Sequence, residues 1–211
     1  MKLAVAEELA GKLLERLGPV CERIEVAGSV RRKRPEPHDL EFVLIPVMED
    51  RAVDLFDTKP APMIERVIEE MIAGGNMAWD HQVKRNGPRY KRLVHVATAA
   101  VVELYFAHAD NWGVHLAVRT GPGDFNRTLV TRISWSGAMP LDMAMRDGFL
   151  WRRGQRLETP TEEKFFAEIG VPCWWPEMRT NERLLEFLKR RRAGAVDLAE
   201  EMRLADLNER W

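Results

Sequence analysis

The sequence predicts an α+β protein of two lobes, in which a mixed sheet covered by two helices is followed by a smaller α+β lobe. Two observations carry this prediction: apolar runs of strand length interleave with two amphipathic stretches up to about residue 110, and the pattern changes after Asn111 to helix, helix, hairpin, helix. No internal repeat or low-complexity linker interrupts it. At 211 residues, with 45% apolar and 31% charged, the chain is long enough to bury a substantial core as one large domain or two lobes.

Taken in order, residues 4–17 place Leu9, Leu13, Leu14 and Leu17 on one helical face, and Gly18-Pro19 ends that helix. Strand-like runs follow at 24–27 and 40–45. A second helix begins after Pro60-Ala61-Pro62 and stops at Gly74-Gly75. Extended segments cover roughly 79–84, 93–97 and 101–106, with Asn86-Gly87-Pro88 turning between the first two. The first lobe spans 1–110 and the second 111–180. Residues 181–211 read as a C-terminal helical extension, two stretches split at Ala193-Gly194-Ala195.

The most informative stretch is Val26-Ala27-Gly28-Ser29-Val30-Arg31-Arg32, followed by Asp39-Leu40-Glu41 and the apolar run Phe42-Val43-Leu44-Ile45. In a strand, residues i and i+2 project to one face, so Asp39 and Glu41 present their oxygens together while Leu40 turns into the core. Gly28 lets backbone approach a phosphate, Ser29 offers an amide and a hydroxyl, and Arg31 or Arg32 supplies a planar cation. A third acid, Glu103, is the lone charge in the strand-like run at 101–106. Taken singly, each carboxylate reads as a solvated surface charge. Three of them on apolar β runs, two downstream of a Gly-Ser-x-Arg-Arg turn, point to a nucleoside triphosphate held on divalent metal.

Gly28-Ser29 followed by Asp39-x-Glu41 resembles the signature of the nucleotidyltransferase superfamily, with the spacing of the family X DNA polymerases related to DNA polymerase beta. The segment Thr120-Gly121-Pro122-Gly123-Asp124-Phe125-Asn126-Arg127 resembles the one that opens that family's thumb. Asp147-Gly148-Phe149-Leu150-Trp151-Arg152-Arg153-Gly154 and Thr159-Pro160-Thr161-Glu162-Glu163 are similar to its thumb hairpin and the helix after it. The similarity runs from about Leu9 to Arg179. It implies a nucleotidyltransferase palm followed by a thumb, in a minimal form with neither the lyase domain nor the fingers that usually precede the palm, and hence without lyase activity.

The resemblance further implies gap-filling DNA polymerisation, in which a primer 3′-hydroxyl attacks a nucleoside triphosphate and pyrophosphate leaves. Asp39, Glu41 and Glu103 would be the catalytic and metal-holding residues for two Mg2+ ions, with Mn2+ as an alternative; oxygen-only donors suit these ions. Gly28, Ser29, Arg32, His38, Val118, Arg119, Thr120, Gly121, Phe125 and Asn126 would bind the nucleotide. Arg127, with Lys84, Arg85, Arg89 and Lys91, would meet gapped or primer-template DNA. For Phe125 a place in the core is an equal reading.

Three departures from the family pattern matter. Glu41 and Glu103 stand where the family uses Asp, and the extra methylene displaces a ligand oxygen. His38 replaces a small glycine. Val118-Arg119 occupy the place of an aromatic pair that crowds the sugar 2′ position, so weak discrimination between ribo- and deoxyribonucleotides is expected. Because the family holds a cis bond at the second position of the thumb motif and X-Pro bonds tolerate cis, Gly121-Pro122 is expected to be cis.

Composition narrows the setting. The net charge of -1 argues against tight duplex binding, although cations cluster locally, with four at 31–34, five at 84–92 and four at 189–192; weak, salt-sensitive binding is expected. No run is apolar enough to span a membrane and no signal-peptide core is present, which predicts a cytoplasmic, monomeric protein without membrane partners. Cys21 and Cys173 are too few for a zinc site and read as free thiols. Two readings stand behind polymerisation: nucleotidyl transfer to another acceptor (an RNA end, a protein or a small molecule), and a non-catalytic DNA-end-binding module.

Overall fold

The computed structural model describes residues 1–52, 58–81 and 86–207. The chain divides into two compact units, one formed by residues 1–30 and 34–107, the other by residues 31–33 and 108–211.

The first unit is a five-stranded mixed sheet with helices on one face. Its strands are β1 (Cys21–Val26), β2 (Asp39–Pro46), β5 (Met77–Trp79), β6 (Tyr90–His95) and β7 (Ala100–Phe106), and β3 (Met48–Ala52) and β4 (Thr58–Pro62) form a separate ribbon. The sheet order is β1-β2-β7-β6-β5, with β2 and β7 parallel and every other pair antiparallel. Helices α1 (Leu3–Leu17) and α3 (Met63–Ala73) pack on the sheet, and a four-residue turn of helix, α2 (Gly28–Arg31), follows β1.

Strand periodicity sorts this sheet into two faces. Leu40, Phe42 and Leu44 of β2 and Val102 and Leu104 of β7 are fully buried against Leu9, Leu13 and Leu17 of α1 and Ile64 and Ile68 of α3. Each such side chain contributes roughly 1.5–3 kcal/mol on burial. The alternate positions, Asp39, Glu41 and Glu103 among them, therefore lie on the face away from the helices. The mixed, helix-covered palm read from the sequence is the observed one.

Two elements differ from expectation. The β3–β4 ribbon was hidden because Met48–Ala52 is largely polar and Thr58–Pro62 carries Pro60 and Pro62. A two-stranded ribbon leaves one edge of each strand unpaired, where proline is tolerated. The strand expected over 79–84 ends at Trp79, since the Asp80 carboxylate is turned to Arg92 at 2.7 Å; residues 82–84 lie outside the described residues.

The second unit contains α4 (Trp112–Thr120), α5 (Gly123–Val130), β8 (Met143–Arg146), β9 (Phe149–Arg152), β10 (Gln155–Leu157), α6 (Glu162–Ile169), α7 (Asn181–Arg192) and α8 (Leu198–Leu207). The predicted hairpin is a three-stranded antiparallel sheet, because the two-residue turn at Asp147-Gly148 is followed by another at Arg153-Gly154, all four at positive φ. The threonines Thr161 and Thr180 cap α6 and α7 through their side-chain oxygens. Leu184, Phe187 and Leu188 of α7 are buried with Phe125, Phe165 and Phe166, so this part of the C-terminal stretch belongs to the core of the second unit.

Candidate functional site

The three acids are placed by strand register. Parallel pairing of β2 with β7 sets Glu41 directly beside Glu103 and Asp39 beside Val101, so all three share one sheet face within two residues. Neighbouring strands are roughly 4.8 Å apart, and like charges facing each other across that distance are destabilising. The two glutamates resolve this by leaning in different directions.

Glu41 leans toward the Gly28-Ser29 turn. Gly28 has φ +63°, and a methyl group there would overlap the Glu41 carboxylate, whose Cβ lies 3.2 Å from that position. Glycine is thus required twice over, by the left-handed backbone and by the approach of the carboxylate. The next residue, Ser29, has a buried hydroxyl with no hydrogen-bond partner among the described residues.

Glu103 leans the other way, onto β6. Antiparallel register puts Arg92 opposite Glu103 and Tyr90 opposite Tyr105. The Arg92 guanidinium donates through Nη1 to Glu103 Oε1 at 3.1 Å and through Nε to Asp80 Oδ2 at 2.7 Å. The Tyr105 hydroxyl donates to Glu103 Oε2 at 2.8 Å, and the Tyr90 hydroxyl donates to Oε1. Burial, together with the Glu103 carboxylate, pushes the Tyr90 phenol up to about 12, so it remains a donor. Glu103 and Asp80 are 8% and 6% exposed, which makes this a buried network with both oxygens of Glu103 engaged.

Asp39 stands differently. Burial and the nearby Glu103 charge raise its pKa above the ordinary carboxylate range, and the Asp39 backbone N–H, His38 and Arg92 oppose that shift only in part. Among the described residues no three His, Cys, Asp or Glu side chains come close enough together to hold an ion. Asp39 and Glu41 fit a hard divalent cation by their oxygen donors, their shared face and the incomplete compensation of Asp39. Both oxygens of Glu103 accept hydrogen bonds from Tyr90, Arg92 and Tyr105.

The other predicted positions are distributed as follows. His38 is exposed beside Asp39. Arg32 donates to the Thr120 carbonyl, and Arg31 donates to Thr120 Oγ1 and Glu162 Oε2, each at 2.7 Å. Thr120 is fully buried by these bonds. Val118 and Arg119 are half-buried on α4. Phe125 is completely buried in the core of the second unit, so of its two readings the core one holds. Asn126 donates through Nδ2 to the carbonyls of Val118 at 2.5 Å and Gly121 at 2.9 Å, while its Oδ1 is buried without a partner. A methyl group on Gly121 would overlap Asn126 Oδ1.

The Gly121-Pro122 bond is trans, and no described residue has a cis bond. Gly121 and Pro122 are both extended, at ψ 152° and 155°, and the Asn126 amide donates back to the Gly121 carbonyl across the turn. Of the cations assigned to DNA, Arg89 and Arg127 are exposed, whereas Lys91 pairs with Glu65 at 3.0 Å and is largely covered. Lys84 and Arg85 lie outside the described residues.

Sequence reasoning missed Tyr90, Arg92, Tyr105 and Asp80. The period-2 spacing of Tyr90 with Arg92 and of Glu103 with Tyr105 was the available signal, but pairing them needs the register of β6 on β7. Both cysteines are free, as expected, and burial raises their thiols to about 11 for Cys21 and about 12 for Cys173, away from reactivity. No described helix is long and apolar enough to cross a membrane.

No protein-family model matches the chain, and no curated protein matches it in sequence. Its structure does resemble a solved one, polymerase beta of Leishmania infantum in a ternary P/T complex. The TM-score is 0.63 and the identity 16%, over 85% of this chain and 76% of that chain. The chain therefore has the polymerase-beta fold that its Gly-Ser, Asp-x-Glu and thumb motifs imply.

Proposed function

We propose that the protein transfers a nucleotidyl group from a nucleoside triphosphate to the 3′-hydroxyl of DNA, filling gaps or extending a primer on a template, with Mg2+ as cofactor. One observation carries this reading: Asp39 and Glu41 share a sheet face, and Glu41 rests on the Gly28-Ser29 turn, whose serine hydroxyl is buried without a partner. A buried orphan hydroxyl costs about 1–3 kcal/mol, a cost that a bound phosphate oxygen would relieve.

Asp39 and Glu41 would hold the metal, which when bound polarises the phosphoryl group and lowers the pKa of the attacking hydroxyl. The Ser29 hydroxyl and the turn backbone would orient the β and γ phosphates. His38, exposed beside them, adds a donor for the same oxygens when protonated. Arg32 is bound to the Thr120 carbonyl, so its guanidinium is fixed for a phosphate contact. Roles for Val118, Arg119, Gly121 and Asn126 toward base and sugar rest on the family resemblance alone. Arg89 and Arg127 would meet the DNA backbone, weakly and with salt dependence.

The test is incubation with Mg2+, a gapped duplex and one labelled nucleotide at a time. Templated addition supports the reading; addition only to an RNA end or a protein acceptor moves it to the broader transferase class; binding of DNA ends without addition removes catalysis. Matched deoxy- and ribonucleotides in the same assay probe the sugar. Comparable rates are expected at Val118-Arg119, and a deoxy preference on the order of a thousandfold, about 4 kcal/mol, would show that another group excludes the 2′-hydroxyl.

A further inference from the structure

The segment between α5 and β8 folds tightly around a side chain that it leaves in solvent. Residues 131–139 close on themselves through backbone bonds: the Ile133 N–H donates to the Met139 carbonyl at 2.8 Å, the Met139 N–H to the Thr131 carbonyl at 2.9 Å and the Gly137 N–H to the Arg132 carbonyl at 3.1 Å. A methyl group on Gly137 would overlap the Thr131 carbonyl, so this return of the chain requires glycine. Within the closed loop stands Trp135, 75% exposed, the most exposed of the large apolar side chains among the described residues. A tryptophan ordinarily gains by burial, and this one is held out by a backbone whose own bonds are made.

Trp135 borders a groove of about 370 Å3 whose apolar walls include Val130, Met139, Met143 and Met145. The rim of the groove is cationic. Arg132 lines it, Arg127 lies one helical turn before Val130, and Arg146 follows Met145 at the end of β8; all three are exposed, and none has an ion-pair partner among the described residues. The neighbouring acid Asp142 is taken up by Arg153 at 3.3 Å. We propose that this face binds single-stranded DNA, with a base stacked on the Trp135 ring and the flanking phosphates paired to Arg127, Arg132 and Arg146. Every base has a π face, and the pliable, polarisable methionine floor suits any of them, so recognition is independent of sequence. Three like charges oppose the pairing of this face with a second copy of the chain, whereas a polyanion complements them. The inference takes its DNA partner from the transferase reading above and adds a place for the strand left unpaired in a gap.

The experiment is binding of the full chain to a labelled oligothymidylate of about 16 nucleotides, and to a blunt duplex of the same length, read by fluorescence anisotropy over a range of salt. Trp135→Ala should weaken oligothymidylate binding by roughly tenfold or more, the worth of one stacked base, and change duplex binding by less than about twofold. Trp135→Phe, which keeps a π face, should recover most of the lost affinity. Arg132→Gln with Arg146→Gln should reduce the slope of log affinity against log salt by about 1.4, roughly 0.7 for each phosphate contact on a single strand, whereas Trp135→Ala should leave that slope unchanged. A merely structural role for these side chains would not divide the two effects in this way.

Oligothymidylate binding by Trp135→Ala equal to that of the parent would overturn the proposal, as would an equal loss for the duplex, or a parent that does not bind oligothymidylate at low salt. So would a dimer of the parent, seen by sedimentation, that Trp135→Ala abolishes, since a second copy would then cover the face. Should Trp135→Ala not fold, nitrogen NMR of the parent decides: the Trp135 indole N–H signal moves on addition of oligothymidylate if the ring carries a base, and stays in place if it does not. Failure of the transferase reading is a separate result. A parent that binds oligothymidylate through Trp135 but adds no nucleotide to a gapped duplex in Mg2+ loses that reading and keeps the strand site.

Discussion

Both units bury a glutamate against arginine, and the comparison shows how differently the acids of this molecule are compensated. In the second unit Glu162, 5% exposed, receives Arg31 at 2.7 Å and Arg179 at 2.6 Å, one guanidinium on each oxygen. Burial alone would raise its pKa, but Arg179 and Arg31 outweigh that and hold the carboxyl below its ordinary value. In the first unit Glu103 is satisfied in the same way, by Arg92 and two tyrosines. Asp39, close by, is not, and its pKa is raised. A buried acid that has its own cation is part of the scaffold. Asp39 is only half-buried, and its own backbone N–H, His38 and Arg92 offset part of the upward shift.

The largest effect expected from this contrast is on stability. Arg179→Ala leaves Glu162 facing Arg31 alone and removes a hydrogen bond to the Trp174 carbonyl. It should destabilise by about 3–5 kcal/mol, measured by denaturant unfolding. A loss under about 1 kcal/mol, the range of exposed pairs, would break the comparison.

Next in size is Gly28→Ala. The left-handed backbone costs roughly 1–2 kcal/mol for a residue with a side chain, and the added methyl displaces the Glu41 carboxylate. The variant should therefore lose stability in thermal unfolding and also bind Mn2+ more weakly than the parent. Unchanged metal binding would separate Glu41 from the site.

The smallest effect is the most diagnostic, because the two acids have opposite signs. Glu162, whose pKa is lowered on folding, contributes stability that is full above the ordinary value of 4.5 and is lost as pH falls through its lower folded value. Asp39, whose pKa is raised, contributes stability that is full below the ordinary value of 3.8 and is lost as pH rises through its higher folded value. In metal-free buffer Asp39→Asn should thus be at least as stable as the parent at neutral pH, with the difference vanishing below 3.8. A neutral-pH loss of stability in thermal unfolding would show that the Asp39 charge is already compensated.

The parts of this molecule legible in the sequence were those set by local periodicity. The face of α1 carrying Leu9, Leu13 and Leu17, the alternation of Asp39, Leu40, Glu41 and Phe42, and the lone charge of Glu103 all follow from spacing along one element. What escaped depends on pairing between elements. That Arg92 falls opposite Glu103 is a matter of the β6–β7 register, and it is what brings the guanidinium onto the Glu103 carboxylate. The Gly121-Pro122 bond is trans, the ordinary preference of an X-Pro bond, and the Asn126 side chain reaches back to the Val118 and Gly121 carbonyls, a contact that spacing along one element does not reveal. The β3–β4 ribbon lacked an apolar face to announce it.

The central claim is that Asp39, with Glu41, carries metal-dependent nucleotidyl transfer. Its most direct test is single-nucleotide incorporation into a gapped duplex in Mg2+ by the parent and by Asp39→Asn, with circular dichroism confirming that the variant is folded. The account predicts incorporation by the parent and a loss of roughly a thousandfold or more, about 4 kcal/mol, in the variant. Incorporation by a folded Asp39→Asn protein within about tenfold of the parent, a difference of roughly 1.4 kcal/mol, would contradict it.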